Sequence, residues 1–433
     1  AVARGTSDAP YAFVIPAGQG DATKVDRVVN LLRLQAIEVH RASSPVTVKE
    51  GTYDAGSYIV KLNQPYGPLA KTLLEKQVYP DAALNTYDDS AWTMGLANQV
   101  EVKTIADRAV LDAPADLLTA DVVTGGRVDG SGSTLIVRHN GALSLVTLRY
   151  RLASTPVKAT RVAFTADGVE YPAGSFIVAD GPGVRAEVEK LGLVAAATAT
   201  APDVPTVDVD LPRIAVYTTW SNTEKVGWVR LAFDRFEIPF TLIHKDDVKR
   251  GSLRDRFDVI LMPHQGNGGK SIVYEQPPLS KPLPYRRSDR FKSFGFYTET
   301  DDVRGGMGLE GVRAFEQFVD AGGVLVTLGI ASSFPVDFGL AKGVDAQPSA
   351  PGFYAPGPYV QSEVLLPAHP VMFGYGEKTL PVRYAGGPLL QAGPAPGAPP
   401  NAFSPYRTRV VARFVGGESS VLSGLMRGSD QVR

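Results

Sequence analysis

The chain has 433 residues, enough for about three domains at roughly 150 residues each. Its 44 basic and 45 acidic side chains leave a net charge of −1, so no strong field draws it to nucleic acid or anionic lipid, and neither is an expected partner. The absence of cysteine excludes disulfides, thiolate metal sites and cysteine nucleophiles, while leaving the redox compartment open.

No apolar run approaches the roughly 20 residues that span a bilayer, and the Ala-rich "GLVAAATATA" is too short and too weakly apolar. The chain starts at Ala1, without Met or a signal-like apolar region, and is expected to be processed or cut from something longer.

"YAFVIPAGQGDATKVDRVVNLLRLQAIEVHRA" predicts strand, tight turn, helix and strand. Val25, Val28, Val29, Leu32 and Ala36 recur at helical spacing, Asp21 is placed to cap the helix, and "IEVHRA" alternates as a strand does. Next come a strand in "GSYIVKL", a helix in "GPLAKTLLEKQ" and a short helix in "DSAWTMGLANQ". A repeat links Gly51–Val60 to Gly168–Val178: each places a Tyr two residues before Ala-Gly-Ser, followed by an aromatic, Ile and Val. We read two copies of one β-unit, a hairpin whose turn glycine (Gly56, Gly174) takes positive φ before a buried strand; the plainer alternative is a recurring turn-plus-strand solution to packing. Between them, "TLIVRHNGALSLVTLRYRL" reads as a β-hairpin around Asn140-Gly141.

Residues 201–212 lack periodicity and read as a linker after an α+β unit at 1–105 and a β-rich α+β unit at 106–200. From 213 the pattern becomes doubly wound. "RIAVYTTW", "PFTLI", "FDVILMPH" and "GVLVTLG" are strands, and Asn222–Phe236 and Leu309–Ala321 are helices, which predicts a parallel α/β sheet over 213–433 with insertions at 265–305 and 340–405.

Two glycine-rich stretches look like nucleotide motifs and fail in detail. In "PAGQGDATK" the third Gly of a dinucleotide fingerprint is missing and Asp21 puts negative charge where a pyrophosphate would sit, so a tight turn is the better reading. "HQGNGGKS" has His264 where a P-loop has its first Gly, and the proline-rich "IVYEQPPLSKPLP" after it is not expected to form the helix that completes a phosphate cradle. The five histidines are dispersed and none has a Glu or His three or four residues away, so no metal site is expected; "HKDD" at His244 reads as a solvated loop.

Ligands of a doubly wound sheet bind at the carboxyl ends of its strands, where the loops at Trp220–Asn222, His264–Gly266 and Gly329–Ser333 would converge. Trp220, His264 and Ser332 are the candidate ligand-binding residues of that cleft. Residues 213–339 resemble the class I glutamine amidotransferase-like fold, in which a strand ends in Gly-x-Cys-x-Gly. Here the run is Gly329-Ile330-Ala331-Ser332-Ser333. Ala331 occupies the nucleophile's position, and a methyl group attacks no carbonyl; His369 is followed by Pro-Val-Met and not by the family's His-x-Glu. Ser332 is the one remaining hydroxyl that could act as a nucleophile, without an identifiable base.

The order of segments from "PYAFVIPAGQGD" through "YPAGSFIV", "RIAVYTTW" and "FDVILMP" to "GGVLVTLG" resembles the region downstream of the catalytic domain in large bacterial zinc carboxypeptidases of the carboxypeptidase A class. That resemblance implies a noncatalytic accessory region, an exported or periplasmic location, and a missing zinc-bearing domain as partner. Zinc is expected only in that domain, because no His-x-x-Glu pair exists here. It also implies truncation of the α/β domain near its C-terminus. The alternative is a ligand- or glycan-binding module, with a peptide or glycan as partner, that uses the cleft near Trp220.

Overall fold

Ala12–Ile15 (β1) is an uninterrupted apolar run with every side chain buried, and each such Val or Ile contributes about 1.5–3 kcal/mol. The computed structural model describes residues 2–81, 83–221, 223–277, 279–347, 351–376, 378–392 and 408–432. A short helix, α1 (Val2–Ser7), precedes β1; α2 (Ala22–Leu34) follows it, with Val25, Val28, Val29 and Leu32 on its buried face. Asp21 caps α2 as expected, its Oδ1 accepting the Thr23 N–H at 3.0 Å.

The chain continues through β2 (His40–Ala42), a hairpin of β3 (Val46–Val48) and β4 (Gly51–Tyr53), β5 (Tyr58–Lys61), α3 (Gly67–Leu74) and α4 (Met94–Asn98) to β6 (Lys103–Ile105) and β7 (Ala115–Leu117). The five-stranded sheet has the order β6-β1-β5-β2-β7. Because β7 pairs with β2, this first module runs past residue 105, where the sequence suggested a boundary.

A second module repeats the plan. After β8 (Arg127–Gly130) come β9 (Thr134–Val137), α5 (Ser144–Arg151), β10 (Val157–Thr160), the hairpin β11 (Phe164–Ala166) and β12 (Val169–Tyr171), β13 (Phe176–Ala179), α6 (Pro182–Lys190), β14 (Val194–Thr198) and β15 (Thr206–Asp208). The sheet order β14-β9-β13-β10-β15, with β8 outside β14, matches the first module strand for strand. The match reaches individual bonds. Ser57 Oγ donates to Asp54 O and accepts Ala17 N–H at 3.0 Å; Ser175 Oγ donates to Pro172 O and accepts His139 N–H at 3.2 Å. Gly56 and Gly174 sit at φ +89° and +87° before their buried strands. The repeat is therefore a whole duplicated module and not a recurring turn.

Two expectations are corrected here. "ALSLVTLRYRL" is the helix α5 and not half of a hairpin, because Leu145, Leu148 and Leu152 share one buried face at helical spacing, which outweighs the β-propensity of Val146 and Thr147. The expected linker holds β15, paired with β10 at Lys158↔Asp208.

The chain forms two compact units: Ala1–Val209 with Pro351–Ala385 and Val411–Arg433, and Asp210–Ala350 with Gly386–Val410. Residues 351–385 and 411–433 thus belong with the duplicated modules, not with the α/β domain to which the sequence reading gave all of 213–433. Their sheet, Tyr359–Val364 flanked by Thr379–Arg383, Ala412–Phe414 and Val421–Ser423, is anchored on residues 77–93. Gln77 N–H donates to Ser423 Oγ at 2.9 Å, and Leu425 N–H to Ser90 Oγ at 2.9 Å. Gly393–Phe403 of the second expected insertion lies outside the described residues.

The second unit has a parallel sheet of β16 (Ile214–Tyr217), β17 (Thr241–Ile243), β18 (Val259–Met262) and β19 (Val324–Thr327) in the order β17-β16-β18-β19. The helices are α7 (Glu224–Arg235), α8 (Lys245–Lys249), α9 (Leu253–Arg256), α10 (Gly269–Tyr274), α11 (Gly308–Asp320) and α12 (Ser333–Asp337). Tyr217, Met262, Phe315, Phe318 and Phe334 form the centre of its core. The strands and the two long helices fall where periodicity placed them; Asn222, the expected helix start, lies outside the described residues. Between Ala350 and Gly386 the chain leaves this unit, and Val344–Gln347 pairs with Leu389–Ala392 across that excursion.

Candidate functional site

The carboxyl ends of the four parallel strands form the site, and a parallel sheet places four successive loops there whatever their sequence. Gln265, just past β18, ties the first loop to the third: its Oε1 accepts Thr219 N–H at 2.7 Å and its Nε2 donates to Tyr217 O at 3.0 Å. His264 reaches the fourth loop, its Nδ1 accepting Ile330 N–H at 3.4 Å. Gly329 makes that approach possible. Its φ is +56°, and a Cβ there would lie 2.4 Å from His264 Nδ1.

The fourth loop is short and helical. β19 passes into a 3₁₀ turn over Gly329–Ser332 and then α12. Ala331 is fully buried, and its methyl belongs to the hydrophobic core cluster that includes Phe315 and Phe334. Ser332 Oγ donates to Thr327 O and accepts the Thr327 hydroxyl, both at 3.2 Å; Ser333 Oγ donates to Ile330 O at 2.7 Å. Both hydroxyls therefore serve the turn.

Trp220 lies in an aromatic ladder. Its ring stacks on His244 at 4.0 Å and 11°, and Tyr285 meets it at 5.4 Å; Tyr285 stacks on Phe294, which stacks on Phe291. The last three rings come from the insertion at 265–305, which folds back over the strand ends instead of hanging as a loop. His244 follows β17 at the mouth of the site and is only 7% exposed. This corrects its reading as part of a solvated loop: the "HKDD" run opens α8, with Asp247 Oδ2 accepting His244 N–H at 2.9 Å, and Lys245 is just 5% exposed. Burial pushes the imidazole down to about 4, so it is neutral near pH 7 and meets Trp220 as a neutral ring; its Nε2 lies 3.0 Å from Thr298 Oγ1.

Sequence reasoning also missed Glu275. "GGKS" does open a helix, the six-residue α10, contrary to expectation, since Ile272 and Val273 bury into the core before the prolines begin. Glu275 ends that helix with a positive φ of +45°, and its Oε2 accepts Trp220 N–H at 3.3 Å. Desolvation pushes its carboxyl up to about 7, against the opposing pull of the Trp220 bond and the Lys245 charge. Tyr217, wholly buried at the end of β16, has its phenol held above the usual range by burial first and by Glu275 second. Glu275 Oε1, Tyr217 Oη, Trp220 Nε1 and His244 Nδ1 are all buried without a hydrogen-bond partner among the described residues. Lys245 Nζ donates to the carbonyls of Arg304 and Gly305, pinning the return of the insertion.

The three residues picked from sequence thus have separate local tasks: Trp220 in the ladder, His264 at Gly329–Ile330, Ser332 on Thr327. Position alone, at the carboxyl end of β17, would have added His244. Nothing local marks Glu275. Among the described residues, no group of three or more His, Asp or Glu is placed to hold a metal ion, and no helix is long and apolar enough to cross a membrane. No family model, curated protein or solved structure matches the chain.

Proposed function

We propose that this chain is the noncatalytic accessory region of a zinc carboxypeptidase-like peptide hydrolase, its residues 213–339 being a class I glutamine amidotransferase-like fold that has lost its chemistry. The observation that carries this reading is the fourth loop: a buried methyl at the nucleophile position, with both adjacent hydroxyls bonded to backbone carbonyls. Donating their protons to backbone carbonyls ties both hydroxyls to the turn itself, whereas a serine nucleophile would direct its proton to a general base. The covered state of Trp220 favours scaffold over glycan platform, since a sugar stacks on an open ring face and this one lies against His244.

The insertion suits docking onto the zinc-bearing domain. Leu279, Phe296 and Tyr297 are 90, 80 and 73% exposed, and the two aromatic rings touch edge to face, leaving apolar side chains available to such a contact. The purified chain, supplied with zinc and a peptide carrying a free C-terminus, is expected to release no terminal residue above the uncatalysed rate. Chelator-sensitive release would refute the accessory reading.

A further inference from the structure

The two modules of the first unit meet at equivalent loops, the turn after β1 and the turn after β9, where Asn140 Nδ2 donates to Gly20 O at 2.8 Å. Between them lies a cavity of about 590 Å³, within the roughly 300–1,000 Å³ of small-molecule sites. Its lining carries Asp21, Lys24, Gln99, Asn140 and Glu101, the last ion-paired with Lys103, alongside the apolar Leu96 and the Tyr375 ring. Glycines let the walls approach: a Cβ on Gly141 (φ +76°) would lie 3.1 Å from Gly374 O and 3.9 Å from Lys24 Nζ.

Two of these side chains have unspent capacity of opposite sign. Lys24 stands in the first turn of the 13-residue α2, and its Nζ donates to Gln99 Oε1 at 3.0 Å, a single bond that leaves further protons for an acceptor. Burial holds its ammonium below the usual range, with Asp21 opposing. Asp21 is 8% exposed; its Oδ1 is taken by Thr23 N–H and Oγ1–H, while its buried Oδ2 has no partner among the described residues. A simple anion would be welcomed by Lys24 and the helix N-terminus but repelled by Asp21. A ligand with an anionic end and a cationic, hydrogen-donating end satisfies both.

We propose that this inter-module cavity binds a small zwitterion of the amino-acid or short-peptide class, its carboxylate on Lys24, its ammonium toward Asp21 and an apolar side chain against Leu96 and Tyr375. The site lies in the first unit and is independent of the accessory reading drawn from the second. Isothermal titration of the full chain with glycyl-leucine should give saturable binding, and N-acetyl-glycyl-leucinamide, which lacks both charges, should give none. Lys24→Met should weaken binding at least ~10-fold, as loss of a desolvated charged contact does. Asp21→Asn keeps an oxygen for the helix cap and should also weaken it, while circular dichroism checks that each variant is folded. Absence of saturable heat with the wild type at millimolar dipeptide, equal binding of the blocked analogue, or wild-type affinity in either folded variant would overturn the proposal.

Discussion

A carboxyl that keeps its proton to about pH 7 makes stability depend on pH, and Glu275 is that group. An unfolded glutamate ionises near its ordinary value of 4.5, so below that pH both states are protonated and the folded chain incurs no penalty. Between about 4.5 and 7 the unfolded state ionises first, and stability falls until the loss is complete above 7. The full shift is discounted for residual solvent contact, leaving a loss on the order of 1–2 kcal/mol. His244 works in the opposite sense, since its neutral folded form loses stability as pH drops from about 6.5 toward 4. Comparing wild type with Glu275→Gln in urea titrations from pH 5 to 8 isolates the carboxyl: the variant should lose less stability over that range, and parallel curves would contradict the assignment. Trp220 was legible at this scale because it ends a recognisable strand. Glu275 was not, because its desolvation comes from burial in the folded chain, beside Trp220 and Lys245, which only folding brings to it.

The duplicated modules permit a test at the level of elements, in which one substitution is made at two equivalent turns. Gly56 and Gly174 share their left-handed φ, so alanine at either costs about 1–2 kcal/mol in backbone strain. Their surroundings differ. A Cβ at Gly56 finds its nearest neighbour at 3.7 Å, the end of the Arg41 side chain, whereas one at Gly174 would sit 2.7 Å from His139 and 2.9 Å from Phe373. Gly174→Ala should therefore destabilise by about 2 kcal/mol more than Gly56→Ala, as overpacking typically does; equal midpoints in chemical denaturation would show that His139 and Phe373 yield freely. Elements with one clear period, such as α2 and β16, could be read from sequence because their pattern is local. At "ALSLVTLRYRL" local propensity and face-burial disagreed, and packing of Leu145, Leu148 and Leu152 decided for helix.

Over the whole molecule, the first unit is built from three separated stretches of chain, so cutting at residue 210 does not divide the protein cleanly. A fragment 210–433 would keep the strands at 359–364 and 421–423 but lose Gln77, Ser90 and Thr93, which bond to Ser423 and Leu425. Amides of 359–364 and 421–425 should exchange at least ~10-fold faster in that fragment than in the intact chain, because buried hydrogen-bond partners limit local opening. Unchanged protection would mean that this sheet stands by itself. The sequence alone determined the apolar runs that become the buried strands, the repeat's hairpin, the cap at Asp21 and the alanine at position 331, since period, turn chemistry and side-chain identity are properties of neighbouring residues. Only the tertiary structure decided that the repeat is a full module, that 351–385 and 411–433 return to the first unit, and that His244 and Glu275 are buried beside Trp220. Desolvation and long-range strand pairing depend on segments tens to hundreds of residues apart, and no local pattern encodes which of them will meet.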